Sequence, residues 1–402
     1  MYARSLLLTQ LENFKQELAR VKQCIEADYV DVKLRQRVGV RFENLLAEQR
    51  NATEIVKSMA GGGEPLPDCW EKFRRIQAEC KPLFRECLSF IQGALARKAG
   101  IDYGLCEIAD ALLIHLSERS DVPWRRFTIL AEEEFYLSTA EIIRLRFPDS
   151  SIWNLPTAAH EFGHFVGPEL KKDLGSRFQY PFQEMLAQAN QNPPELWPHK
   201  SKDWYYLHEQ FADVFATAAL GPSFACTMIL LRLDPTLAYT EDFNHPSAAK
   251  RVHAMLWTLG EMNEAEPGVW KPYRGVIDRL RNVWRESLQA VDQSESLPDA
   301  EAVRLETRIR ELYNLLRSRI PSVIYTIEQW RQAEKQAEEL KLEKEAAPAR
   351  RLPEATLRDV LNAAWLRRLA CDPDLYKISQ IGERTRRIIN DGMNLDQILT
   401  LF

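Results

Sequence analysis

Leu7, Leu11, Phe14, Leu18, Val21 and Ile25 recur at alternating spacings of four and three. That is the stripe one helix face presents to a packing partner, and it predicts a bundled helix at the start of the chain. "NATEIVKSMAGGGEPLPD", with three glycines and two prolines, predicts a loop. Helical periodicity resumes over residues 68–118 and ends in "ALLIHLSERSD", where His115 sits among apolar neighbours and reads as a satisfied core histidine. At Pro123 the texture changes. "RRFTILAEEEF" and "AEIIRLRF" predict short strands, the second alternating Ile143, Leu145 and Phe147 against Ile142, Arg144 and Arg146.

A helix follows over "PTAAHEFGHFVG", with Pro156 in its first turn and Gly167-Pro168 as its stop. "ANQNPPELWPHKSKD" predicts a surface loop. A second helix, "DWYYLHEQFADVFATAALGP", is expected to open on Asp203 as its N-cap and close at Gly221-Pro222. From about residue 247 the chain is helical again. One stripe runs through Val276, Leu280, Val283, Trp284, Leu288 and Val291, another through Leu305, Ile309, Leu312, Leu316 and Ile320. "EKQAEELKLEKEAAPARR" reads as a solvated, mixed-charge helix fading into a linker. The pattern yields a mainly α chain with a small β-sheet. Its expected parts are an N-terminal helical region over 1–120, a core over 121–262, a helical region over 263–346 and a C-terminal helical appendage over 347–402.

Composition narrows the function classes. The chain has 402 residues, 45% of them hydrophobic and 28% charged, as in an ordinary soluble globular protein. A net charge of −5 argues against a nucleic-acid partner. No apolar run is long enough to span a bilayer, so no membrane role is expected. The opening residues turn polar too early for a secretory signal. Seven dispersed cysteines without a CxxC pair fit reduced thiols and a cytoplasmic location.

The chemistry is concentrated in His160-Glu161-Phe162-Gly163-His164. Residues four apart share a helix face, so His160 and His164 can offer two imidazoles to one zinc ion. Glu161 at the rim of that face is placed to take a proton from water. Ala158, Ala159, Phe162, Phe165 and Val166 predict burial, and buried polar groups need partners. A third ligand is available in "HEQFADVFA", where Glu209 and Asp213 again share a face beside the small Ala212 and Ala216.

Here the chain resembles the gluzincin group of HExxH zinc metallopeptidases. Glu-x-x-Ala-Asp over Glu209–Asp213 is similar to the pattern of membrane-bound heat-shock and prenyl-protein endopeptidases, and thermolysin-like enzymes carry a related Glu-x-x-x-Asp. The resemblance covers about residues 126–225. It departs from the membrane enzymes in lacking a transmembrane segment, and from thermolysin in the longer path between the two helices. It implies a zincin-like core and one catalytic Zn²⁺ held by His160, His164 and Glu209. It also implies Asp213 as the carboxylate orienting a histidine ligand, and a strand on the cleft rim that pairs with an extended peptide.

His208 points about 100° away from Glu209 and reads as a packing or capping residue, and His199 and His253 read as structural or surface residues. In "EDFNHPSAAKRVHAML", Pro246 can open a helix with His245 at its N-cap and Arg251 further inside. Thermolysin-like enzymes use a downstream histidine to stabilise the oxyanion, so His245 is a second catalytic candidate, a simple cap being the alternative. Tyr205 and Tyr206 are weaker candidates for that task. The expectation is a zinc peptidase cleaving a peptide or protein substrate, with N- or C-terminal helices available to a protein partner. Two alternatives stay open: a helical interaction protein with a structural or inactive zinc site, and a zinc hydrolase acting on a non-peptide substrate.

Overall fold

The computed structural model describes residues 2–25, 32–58, 66–124, 128–131, 136–137, 142–146, 151–173, 178–190, 200–264, 271–342, 350–371 and 374–392. The fold is mainly α. The chain divides into two compact units, one of Met1–Gly104 with Ile129–Pro148, the other of Leu105–Thr128 with Asp149–Phe402.

The first unit contains helices α1 (Tyr2–Ile25), α2 (Val32–Ser58) and α3 (Leu66–Lys98). The first stripe is a packing surface: Leu7, Leu11, Phe14 and Leu18 are buried, with Phe14 edge-on to Phe73 of α3 at 5.9 Å. Gln49 of α2 donates to the Leu11 carbonyl at 2.8 Å, a polar contact closed within the apolar interface. With these helices goes a three-stranded sheet of order β1–β3–β2, built from β1 (Thr128–Ala131), β2 (Tyr136–Leu137) and β3 (Ile142–Arg146). Strands β2 and β3 are antiparallel, Tyr136 opposite Ile143. A side chain at Gly93 of α3 would put its Cβ 2.4 Å from the Leu130 carbonyl, so β1 reaches that helix only because the position is glycine. The expected alternation on β3 is only partly present. Arg144 is buried alongside Ile143 and Leu145, so both faces are covered there, and Phe147 lies outside the described residues.

The second unit holds α4 (Leu105–Ser120), α5 (Thr157–Glu169), α6 (Pro181–Ala189), α7 (Lys202–Leu220) and α8 (Pro222–Thr227), the last continuing as a π-helical turn over Met228–Arg232. A two-stranded antiparallel ribbon, β4 (Lys172–Asp173) and β5 (Phe178–Gln179), separates α5 from α6. Then come α9 (Ala248–Glu264), α10 (Arg274–Ala290), α11 (Asp299–Arg319), α12 (Ile327–Glu339), α13 (Leu357–Cys371) and α14 (Leu375–Gly392). Helix α7 is the hub. It packs against α5, α6, α8, α9 and α11, and every residue from Gln210 to Leu220 is buried. The predicted α11 stripe, Leu305, Ile309, Leu312, Leu316 and Ile320, is buried throughout. On α10, Val276, Leu280, Trp284 and Leu288 are buried, while Val283 and Val291 are half-buried.

Several local expectations are corrected. Helix α7 is capped by Ser201, whose hydroxyl accepts from the Trp204 N–H at 3.1 Å, with Asp203 inside the first turn. Helix α5 runs past Gly167-Pro168 to Glu169, because a proline in the last turn costs only one backbone bond. The charge-rich stretch after residue 334 is more than a solvated face. Gln336 is fully buried; its amide donates to the Arg350 carbonyl at 3.0 Å and accepts from Leu352 N–H at 2.8 Å, pinning the returning chain. Helix α13 is buried without a break from Arg358 to Trp365. Among the described residues, no helix is long and apolar enough to cross a membrane.

Candidate metal centre

The site forms where α5 meets α7. Pro156, with φ of −57°, sets the chain for the first turn of α5. Trp124 meets Phe162 and Phe165 edge-on at 5.5 and 5.2 Å, fixing the apolar side of the helix. On the side facing α7, a Cβ at Gly163 would lie 3.0 Å from the Cα of Ala212. Glycine on one helix and alanine on the other let the two backbones approach, with His164 next to Gly163 and His160 three residues before it.

His160, Glu161 and His164 come together: one ligand atom from each lies within 4.8 Å of the others, with His160 and Glu161 buried. Glu209 faces both imidazoles, Oε2 at 3.4 Å from His160 Nε2 and Oε1 at 3.3 Å from His164 Nε2. Asp213, one turn further along α7, lies behind His160, its Oδ1 3.0 Å from Nδ1. Arg251 of α9 in turn grips Asp213 with two bonds, Nε to Oδ2 at 2.8 Å and Nη2 to Oδ1 at 2.7 Å. The sequence-predicted residues of the two helices are therefore in one place.

Electrostatics follow from that crowding. Burial pulls His160 towards neutrality, but Asp213 and then Glu209 outweigh it and lift its pKa to about 10. Burial also pushes Glu209 and Asp213 up. For Glu209 the neighbouring His164 and His160 prevail and hold it well below the usual carboxylate range; for Asp213, Arg251 does the same, with His160 contributing. A proton on His160 thus fills the role of a cation between two carboxylates.

The donor set fits a metal ion in its place. Glu209 Oε2 is buried and accepts no well-directed hydrogen bond; His160 Nδ1 meets Asp213 at an angle that departs from a straight hydrogen bond. Ligand atoms about 2.0–2.1 Å from a tetrahedral zinc sit roughly 3.3–3.4 Å from one another. The separations of His160 Nε2 from Oε2 and of His164 Nε2 from Oε1 have that length, one to each oxygen of the carboxylate. With Nδ1 of His160 turned to Asp213, Nε2 is the ring nitrogen left facing Glu209.

His208 and Arg251 make contacts that spacing does not reveal. His208 is one residue before Glu209 on α7, and its Nδ1 lies 2.7 Å from His164 Nδ1. Burial and then the neighbouring His164 push its pKa down to about 3. His245 is half-exposed, with Nε2 3.8 Å from Glu209 Oε1 and Nδ1 3.1 Å from Asp242 Oδ2. It does not cap α9. That helix begins at Ala248, and the backbone N–H groups of Asn244 and His245 turn back to Asp242 Oδ1. The Tyr206 hydroxyl donates to the Asp242 carbonyl at 2.9 Å, so it secures this loop to α7; Tyr205 packs edge-on to Phe243. His253 pairs with Glu306 of α11 at 3.0 Å, a structural contact, and His199 lies outside the described residues. No family model, no curated protein and no solved structure matches the chain.

Proposed function

We propose that this chain is a zinc-dependent peptidase of the gluzincin type. The observation that carries the reading is the placement of one carboxylate, Glu209, against the Nε2 atoms of both histidines, with Glu161 in the same cluster. His160, His164 and Glu209 would hold the ion, Asp213 orienting His160 and Arg251 holding Asp213. Zinc, when bound, supplies Lewis acidity for a carbonyl and brings the pKa of a water towards neutrality. Glu161 accepts the proton of the attacking water and returns it to the leaving amine. His245 serves the developing oxyanion. Its Nδ1 faces Asp242 Oδ2 at 3.1 Å, which leaves Nε2 as the ring nitrogen turned towards Glu209 Oε1 at 3.8 Å.

The test is metal content and peptide turnover on the same preparations. Wild type should carry about one zinc per chain, and His160→Ala and His164→Ala should lose most of it, two of the ion's ligands being these imidazoles. Glu161→Gln should keep zinc and fold while losing about 10²–10⁴-fold or more of turnover, since an amide cannot take the proton. Full zinc in either histidine variant, or Glu161→Gln turning over a peptide library at the wild-type rate, rejects this assignment.

A further inference from the structure

The two histidines of α5 do not share an anchor. His160 has Asp213 at its Nδ1; His164 has, at the corresponding atom, the ring of His208. The His164 and His208 ring planes lie within 4° of each other and the two Nδ1 atoms are 2.7 Å apart, the length of a strong hydrogen bond. One nitrogen must donate and the other accept. If His164 offers its Nε2 lone pair to a metal, its only ring proton sits on Nδ1, and His208 Nδ1 is the acceptor. The opposite direction would put the His164 proton on Nε2, facing Glu209, and close the site.

His208 is itself held. The indole of Trp204, one turn earlier on α7, lies parallel to it at 5.0 Å, and Phe182 of α6 flanks it at 6.0 Å. The Ser201 cap fixes Trp204 in the first turn. The indole therefore sets the imidazole, and the imidazole sets the ligand.

We propose that His208 is a positioning residue for the metal centre, accepting a hydrogen bond from His164 Nδ1–H so that His164 Nε2 faces the ion. This rests on reading the site as a metal centre. On that account α7 supplies all three supports, His208 for one histidine, Asp213 for the other, and Glu209 between them.

Two substitutions separate the acceptor from the packing. His208→Phe keeps an aromatic ring beside Trp204 and removes the acceptor. His208→Asn gives up the ring and keeps an amide oxygen near the position of Nδ1. Zinc affinity, read by competition with a chromophoric chelator, should fall about 10–100-fold in His208→Phe and stay close to wild type in His208→Asn. The visible spectrum of the Co²⁺ form should change with the first variant and not the second. If His208→Phe binds zinc as tightly as wild type, the anchoring role is wrong while the metal centre stands. A loss in His208→Asn equal to that in His208→Phe also overturns it, ring packing being what matters. If wild type itself binds no zinc, the metal reading fails and this assignment fails with it.

Discussion

His160 and His115 both sit in the second unit on well-packed helices, and their surroundings have opposite sign. His160 on α5 is enclosed by Glu209 and Asp213, which lift its pKa to about 10 against the pull of burial. His115 on α4 accepts a hydrogen bond from the guanidinium of Arg119 at 2.9 Å. Burial first, then Arg358 and Arg119, push it down to about 3. A histidine among carboxylates keeps a place for a cation; one among guanidinium groups has none. His160 is the more deeply buried of the two, yet its pKa moves up while that of His115 moves down, so the neighbouring charges decide the direction.

The largest effect should come from removing the carboxylate behind His160. Asp213→Leu leaves Arg251 buried without its partner and should cost about 3–5 kcal/mol of stability, along with a 10–100-fold loss of zinc affinity. The double variant Asp213→Leu with Arg251→Met should regain most of the stability and none of the zinc affinity. Chemical denaturation and zinc titration of the three proteins check this. A single variant as stable as wild type would mean that the pair adds nothing to the fold.

Gly163→Ala should act next. Its new Cβ would meet the Ala212 Cα at 3.0 Å, where backbone cannot yield as a side-chain end can. We expect about 1–3 kcal/mol of destabilisation and weaker zinc binding, because the close approach of α5 and α7 sets both histidine-to-Glu209 distances. An unchanged melting temperature and an unchanged zinc affinity would show that the two helices can part at no cost.

The effect smallest at neutral pH concerns the arginine-bound histidine, and it grows as pH falls. Folding lowers the pKa of His115 from 6.5 to about 3, so its contribution is full above 6.5 and is lost as pH falls towards 3. His115→Gln keeps an acceptor for Arg119 and removes the titration. Wild type should therefore lose stability relative to this variant as pH is lowered through that window, as urea midpoints would reveal. Parallel pH profiles would mean that His115 is not held neutral in the fold.

The candidate residues on α5 and α7 are legible because helix geometry translates sequence spacing into a common face. His160 and His164 are four apart, as are Glu209 and Asp213, and the small Ala212 and Ala216 lie beside the second pair. Arg251 and His208 are not legible in this way. Arg251 meets Asp213 across 38 positions and His208 meets His164 across 44, so only the tertiary arrangement joins them. The same division runs through the fold. The stripes of α1 and α11 are visible because each helix buries one face, whereas α13 buries eight consecutive residues, Arg358, Asp359 and Asn362 among them. Such a helix has no polar side for a pattern to contrast with. The start of α7 differs from the expected Asp203 cap for a local reason: Ser201, two residues earlier, has the hydroxyl that reaches a first-turn N–H.

Helix α7 concentrates the contacts of the site on one rod, and this makes its phase a single mechanical coordinate. His208, Glu209 and Asp213 lie within six residues, while the buried stretch that continues to Leu220 is locked among α8, α9 and α11. Each residue of register along an α-helix is a rotation of about 100° and an advance of about 1.5 Å. A change of one step in this helix would turn His208, Glu209 and Asp213 together, away from histidines that α5 holds still. Variation by substitution can tune one contact at a time; variation by insertion or deletion within α7 is all-or-none for the centre.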